Sequence, residues 1–298
     1  MAEKRALVIG ATGQVGRNVA RAFAARGWEV VGTGHSRAGG ALRRLDLTDR
    51  KALRPLVEEV KPAVCVLAAG MTWVDGCEAA PEKAHATNVV APTLLAEACR
   101  DVGAQLVYLS TEYVFDGLAG PYGEGDRPRP ISVYGATKLE GEQRILSIHP
   151  DNLSIRTTVV YGWHPGDKNF VMQLIGRLEA GERMRVPADQ YSSPTHAPDL
   201  AEAIAALAGR TSGILNVVGP EIMGRYELAR QAARVLGLDD RLLDAVTTAE
   251  LRQPAPRPLR AGLTTGRLRS LGIEMHGVGA GLAAVAQERA RHAVGAGR

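Results

Sequence analysis

The sequence predicts an α/β fold, a doubly wound parallel sheet of Rossmann type with a smaller C-terminal substrate-binding lobe. Three observations carry this expectation. A glycine-rich turn, Gly10-Ala11-Thr12-Gly13-Gln14-Val15-Gly16, follows the first apolar run. Short apolar runs alternate with helical patterns through the first half of the chain, as parallel β-α-β units require. The 298 residues are 45% hydrophobic and 23% charged, enough core for one large domain or two unequal lobes.

Residues 6–9 read as the first strand and 14–26 as an amphipathic helix. A second strand covers 29–32, and a short third strand precedes Asp46. Residues 49–59 are helical and 63–68 form a buried strand. Pro81 opens a long helix to Asp101, at a first-turn position where its missing N–H is harmless. A strand at 105–109, a helix at 133–148 and a strand at 153–160 follow. Beyond 160 the rhythm loosens. Residues 169–180, 198–208 and 226–236 read as helices and 213–218 as a strand. The stretch 253–260 reads as loop and 280–298 as a helical tail. We read 1–160, with a returning segment at about 196–218, as the cofactor lobe. Residues 161–195 and 219–298 form the substrate lobe, with the cleft between the two.

Charge and cysteine content exclude several classes. The formal charge is +4 and the basic residues are scattered, apart from Arg252, Arg257, Arg260, Arg267 and Arg269. No nucleic-acid-reading motif accompanies those arginines, so no nucleic-acid partner is expected and a small anionic ligand suits them better. Cys65, Cys77 and Cys99 have no metal-ligand spacing. They read as buried, reduced thiols of a cytoplasmic protein, with no metal. No signal-peptide core is evident, and no apolar run reaches the ~18 residues of a membrane span. Oligomeric state is left open, with a homodimer among the forms allowed.

The glycine spacing lets the backbone turn tightly and approach a pyrophosphate seated on a helix N-terminus. Gly10, Gly13, Gln14, Val15 and Gly16 are therefore expected to bind a dinucleotide. After the second strand an acid would accept from a ribose 2′-hydroxyl. Here the segment is Gly32-Thr33-Gly34-His35-Ser36-Arg37, without an acid. His35, Ser36 and Arg37 suit a 2′-phosphate and point to NADP(H). Asp46 and Leu47 are placed to meet the adenine. Ala68, Ala69 and Gly70 are small enough for the ribose to lie close.

Ser110-Thr111 ends a strand at its carboxyl end, where open α/β sheets bind ligands. Tyr134 and Lys138, four residues apart, share a helix face. An ammonium beside a phenol favours the phenolate and is expected to lower its pKa, making proton transfer to a carbonyl oxygen feasible. Thr111, Tyr134 and Lys138 thus form a set that orients the substrate, donates a proton and tunes the donor.

These residues carry a resemblance to the extended short-chain dehydrogenase/reductases, and more narrowly to the dTDP-4-dehydrorhamnose reductase family. Beside the glycine turn, it includes Thr72-Trp73-Val74-Asp75-Gly76-Cys77-Glu78, Asn88-Val89 and the distinctive Ser110-Thr111-Glu112-Tyr113-Val114-Phe115-Asp116-Gly117. Val133 to Lys138, Asn169-Phe170, Asp189-Gln190 with Pro194-Thr195, and Arg257-Pro258 extend it along most of the chain. The resemblance implies reduction of the 4-keto group of a nucleotide-linked 6-deoxyhexose by a nicotinamide hydride. Tyr134 would be proton donor, Lys138 would tune it and hold the nicotinamide ribose, and Thr111 would bind the keto oxygen. Thr72, Trp73, Val74, Asp75, Asn169, Phe170, Gln190, Thr195 and Arg257 would line the nucleotide-sugar side.

The chain departs from the family pattern at Glu112, usually Asp, at Ser192, usually Gly, at Arg260-Ala261, usually Asn-Ser, and in the bulk of Trp73. Two other readings stay open. One is another ketoreductase, or an epimerase or dehydratase, for which Glu112 stands where an acid-base residue would be wanted. The other is a non-catalytic NADP-binding subunit like that of methionine adenosyltransferase.

Overall fold

A computed structural model describes residues 4–35 and 42–296, without the side chains of 294–296. Six strands, β1 (Arg5–Ile9), β2 (Glu29–Gly34), β3 (Leu42–Arg44), β4 (Val64–Leu67), β5 (Gln105–Thr111) and β6 (Leu153–Thr157), join a seventh at Gly213–Asn216. Their order is Gly213–Asn216, β6, β5, β4, β1, β2, β3, and every pairing is parallel. The order reverses beside β1, which pairs with both β2 and β4. At such a switch point the crossover connections diverge and leave a crevice at the carboxyl ends of the strands.

The helices of this region are α1 (Gln14–Ala25), α2 (Arg50–Val60), α3 (Val74–Ala79), α4 (Pro81–His85), α5 (Ala91–Val102) and α6 (Val133–Ile148). Neighbouring strand residues point to opposite faces, so β1 sends Val8 into one core and Leu7 and Ile9 into the other. The first core packs α1 and α8 (Ala197–Leu207) on the sheet, and the second packs α2, α5 and α6. Both faces being covered explains why the strands read as nearly continuous apolar runs. A third core gathers Val171 and Leu174 of α7 (Phe170–Glu179), Leu228 of α9 (Arg225–Val235), and Leu282 and Val285 of the helix Val278–Ala296.

Two elements differ from the sequence expectation. The helix from Pro81 is broken by a π segment at Ala86–Val90. Pro92 lacks the N–H that would bond the Asn88 carbonyl, and the Tyr108 hydroxyl donates to that oxygen instead, at 3.0 Å. The Asn88 side chain accepts from Met71 N at 2.9 Å and donates to Met71 O and Thr137 Oγ1 at 3.0 and 3.2 Å. Secondly, the strand expected at 153–160 ends at Thr157. Val159 has φ +41°, strained for a β-branched residue, and Val160–Tyr161 pairs with Thr195–His196 in a separate ribbon.

Helix α6 is tied to the sheet by a buried ion pair. Arg156 of β6 donates to Glu142 through Nη2 at 2.5 Å and Nε at 3.1 Å, and Ser154 Oγ donates to the same carboxylate at 3.0 Å. Both charged residues are 1% exposed, and the guanidinium lies 5.0 Å from the Phe115 ring. Removing one member leaves the other charged and buried, which costs ~3–5 kcal/mol. Arg156→Leu is expected to lose about that much in urea denaturation, and the double change Arg156→Met/Glu142→Leu to recover most of it.

Candidate active site

A cleft of about 950 Å³ opens along the carboxyl ends of the strands. Its floor at one end is the glycine turn. Gly10 has φ +87°, and a side chain there would run into Ala69. Gly13 caps α1 without any side-chain hydrogen bond, so the first N–H groups of the helix face the cleft. Gly16 lies behind the turn, where a Cβ would stand 2.1 Å from the Gly10 carbonyl oxygen. Gly16 therefore lets helix and strand approach and is not itself on the cleft wall.

Gly10, Gly13, Gln14, Val15, His35, Asp46, Leu47, Ala68, Ala69 and Gly70 all line this end. Ser36 and Arg37 lie outside the described residues. Asp46 Oδ1 accepts from Thr48 N and Thr48 Oγ1 at 2.8 and 2.7 Å, and those bonds hold its carboxyl below the usual range. The buried atoms Gln14 Nε2, Ser110 Oγ, Thr157 Oγ1 and Arg225 Nε have no hydrogen-bond partner, and their residues line the cleft. Buried polar atoms without partners in a wall are what a ligand-binding surface presents. The uncapped helix, the glycine cradle and these free groups fit an anionic dinucleotide.

The other end holds Thr111, Tyr134 and Lys138. Thr111 closes β5 and heads a short 3-10 turn, Glu112–Val114, its Oγ1 accepting from Tyr113 N at 3.2 Å. Helix α6 begins beside it. Ser132 Oγ accepts from Gly135 N at 3.2 Å, and the Glu78 carboxylate accepts from Val133 N at 2.8 Å. Gly135 allows this approach, since a Cβ would meet the Tyr113 carbonyl oxygen at 2.1 Å. The helix start is thus held at both sides, and Thr111, Tyr134 and Lys138 face the cleft together.

The electrostatics differ from the sequence expectation. Burial pushes the Tyr134 phenol up, the Glu112 carboxylate adds to it, and the hydrogen bond with Thr111 opposes. Burial lowers Lys138 to about 7, with Glu142 opposing. Its ammonium lies 3.9 Å from the Tyr108 ring centroid. Lys138 is therefore not the group that governs the phenol. Desolvation dominates both groups and favours their neutral forms.

The residues expected on the substrate side separate into two groups. Thr72, Val74 and Asn169 line the cleft. Asn169 also caps α7, accepting from Met172 N at 3.0 Å and donating to Gly162 O at 2.9 Å. Trp73 is 70% exposed and off the wall. Asp75 and Arg257 bond each other, Nη1 to Oδ1 at 2.7 Å, which joins α3 to the C-terminal loop. That contact lowers the Asp75 carboxyl. Gln190 donates to Thr248 Oγ1 at 3.0 Å, and Thr195 Oγ1 donates to Ser193 O at 3.0 Å. Phe170 lies under the Arg225 guanidinium, 5.0 Å from it. Arg225, Lys83, Thr87, Thr157 and Thr158 line the cleft without having been singled out from the sequence, because none belongs to a recognisable spacing.

Comparisons with known proteins follow the same lines. The family model described as RmlD substrate binding domain matches residues 4–290. A dTDP-4-dehydrorhamnose reductase of Streptomyces griseus is 39% identical, over 91% of this chain and 88% of its own length. Methionine adenosyltransferase 2 subunit beta of Xenopus laevis is 34% identical, over 91% and 83%. The crystal structure of a Bacillus anthracis dTDP-4-dehydrorhamnose reductase in complex with NADP superposes with a TM-score of 0.87 at 28% identity, covering 96% of this chain and 99% of that one.

The depressed pKa of Lys138 makes a stability prediction. Folded, the amine is neutral above about pH 7, whereas in the unfolded chain it stays charged to ~10.4. Between those values the unfolded chain binds more protons, so this group's penalty grows as pH falls and is complete below 7. Lys138→Met is expected to raise the thermal midpoint of the ligand-free protein, by more at about pH 6 than at about pH 9. Calorimetry at the two pH values checks this.

Proposed function

Because the chain belongs to the RmlD substrate binding domain family, we propose that it is an NADPH-dependent reductase of a nucleotide-activated 4-keto-6-deoxy sugar. One observation carries the reading: Thr111, Tyr134 and Lys138 share a cleft with an uncapped helix N-terminus and its glycine turn. The bound cofactor supplies the hydride. The protein supplies a proton, a rigid pose and exclusion of water.

Tyr134 is the proton donor to the keto oxygen. A phenol kept neutral by burial holds its proton until negative charge develops beside it, when transfer becomes favourable. Lys138 is suited to the nicotinamide ribose, and charge on that ribose's neighbouring phosphates would favour the ammonium form. Thr111 orients the keto oxygen. Asn169, Thr72 and Val74 face the sugar nucleotide, and Arg225 is the cation placed for its anionic part. The Asp75–Arg257 pair and Trp73 border this region, and we read 161–195 with 219–298 as the lobe that selects the sugar. NADPH over NADH rests on the lack of an acid after β2.

Glu112 is engaged by two threonines, Thr111 and Thr158, rather than standing open to a leaving group. That favours simple reduction over dehydration. With a dTDP-4-keto-6-deoxy sugar, NADPH consumption is expected, with NADH poorer. Tyr134→Phe should lower kcat by ~10²–10⁴-fold with NADPH binding intact. Tight NADPH binding without turnover on any such ketone would overturn the reading and favour a regulatory subunit.

A further inference from the structure

A hydroxyl has one proton to give. Thr111 gives its proton to Glu112 Oε2, at 2.9 Å, and Thr158 gives its own to Glu112 Oε1, at 2.5 Å. With Glu112 ionised, Thr111 Oγ1 has given up its one proton and is left an acceptor, which Tyr113 N fills at 3.2 Å. In that arrangement Thr111 cannot donate to a keto oxygen.

Protonation of Glu112 reverses this. A neutral carboxyl has one donating and one accepting oxygen. If the donating oxygen faces Thr111, the threonine proton is released to point into the cleft. We propose that Glu112 is a positioning residue that works as a neutral acid, donating to Thr111 so that Thr111 and Tyr134 both direct their protons at the keto oxygen. The inference rests on the reductase reading given above.

The surroundings of Glu112 agree. It is 5% exposed, and burial raises its pKa against the two threonine bonds and the Arg225 charge. The ionisable groups facing it are Tyr113 on its own turn, Tyr134 on α6 and Arg225 on α9. Its negative charge would raise the Tyr134 phenol further, which opposes proton donation. A neutral Glu112 removes that obstacle as well. A side chain one methylene shorter than glutamate would have less reach to span Thr111 and Thr158 together.

The test has two arms. Infrared difference spectra of wild type minus Glu112→Gln, with NADPH bound near neutral pH, should show the carbonyl stretch of a protonated carboxylic acid. In turnover, Glu112→Gln should keep about the wild-type kcat near neutral pH, since an amide also has one donor end and one acceptor end. Its alkaline limb should lack one titration. Wild-type kcat should fall about tenfold per pH unit on account of Glu112 once that group ionises, and the variant should lack that fall. Carboxylate bands alone in the infrared would overturn the inference. So would a Glu112→Gln rate as low as that of Thr111→Val while wild type reduces the sugar. Wild type binding NADPH but reducing no nucleotide-sugar ketone would instead sink the reductase reading and the catalytic part of this inference, leaving the infrared result to speak for the charge state.

Discussion

The buried pair of Arg156 and Glu142 is the contact on which the geometry of the cleft depends. Tyr134, Lys138 and Glu142 recur at every fourth position of α6 and so form one stripe along the helix. The last of the three is bolted to β6, and the first two face the cleft, with Lys138 over the Tyr108 ring of β5. A shift of α6 along its axis would break a bidentate bond in a medium where nothing replaces it. The packing is tight for the same reason. A Cβ at Gly141 would stand 2.2 Å from the Asn88 carbonyl oxygen, the same oxygen that the Tyr108 hydroxyl holds. One proline in α5, one tyrosine in β5 and one glycine in α6 therefore set the height of the helix above the sheet.

Desolvation rather than pairing shapes the chemistry of the site. A tyrosine held up and a lysine held down describe a pocket that resists charge while it contains only protein. A dinucleotide brings phosphates, which reward an ammonium, and a ketone brings an oxygen on which negative charge grows during reduction. Under the proposed mechanism, both changes would move the two groups toward the states that proton transfer requires. The polarity of the site is completed by what binds to it, a form of preorganisation in which the protein contributes position and dryness.

Much of this was legible in the sequence where short spacings carry the information. The glycine turn announces itself because only glycine tolerates φ +87° at Gly10 or a carbonyl oxygen at the place of its side chain at Gly16. The Tyr134–Lys138 pair is legible because helix periodicity fixes its face. What sequence could not reach are partners distant along the chain. Asp75 and Arg257 each looked like a substrate ligand, and their mutual bond depends on a loop folding back across some 180 residues. The break at Ala86–Val90 depends on a tyrosine from another element accepting the role of a missing amide. Arg225 follows a glycine at the start of an unremarkable helix, and only the fold aims it at the cleft. The direction of the Tyr134 shift also needed burial, which spacing alone does not report.

One edge strand of the central sheet comes from Gly213–Asn216, after the chain has already passed α7 and the ribbon of Val160–Tyr161 with Thr195–His196. Helix α8, which covers one face of the sheet against α1, is equally late. During synthesis from the N-terminus, β6 is consequently an open edge until more than fifty further residues have emerged. A nascent chain paused in that interval presents an unpaired parallel strand and an uncovered apolar face, the combination that invites association with other chains. The late return of this strand makes the length of that exposure, rather than the strength of any single contact, a determinant of how much correctly folded protein a cell obtains.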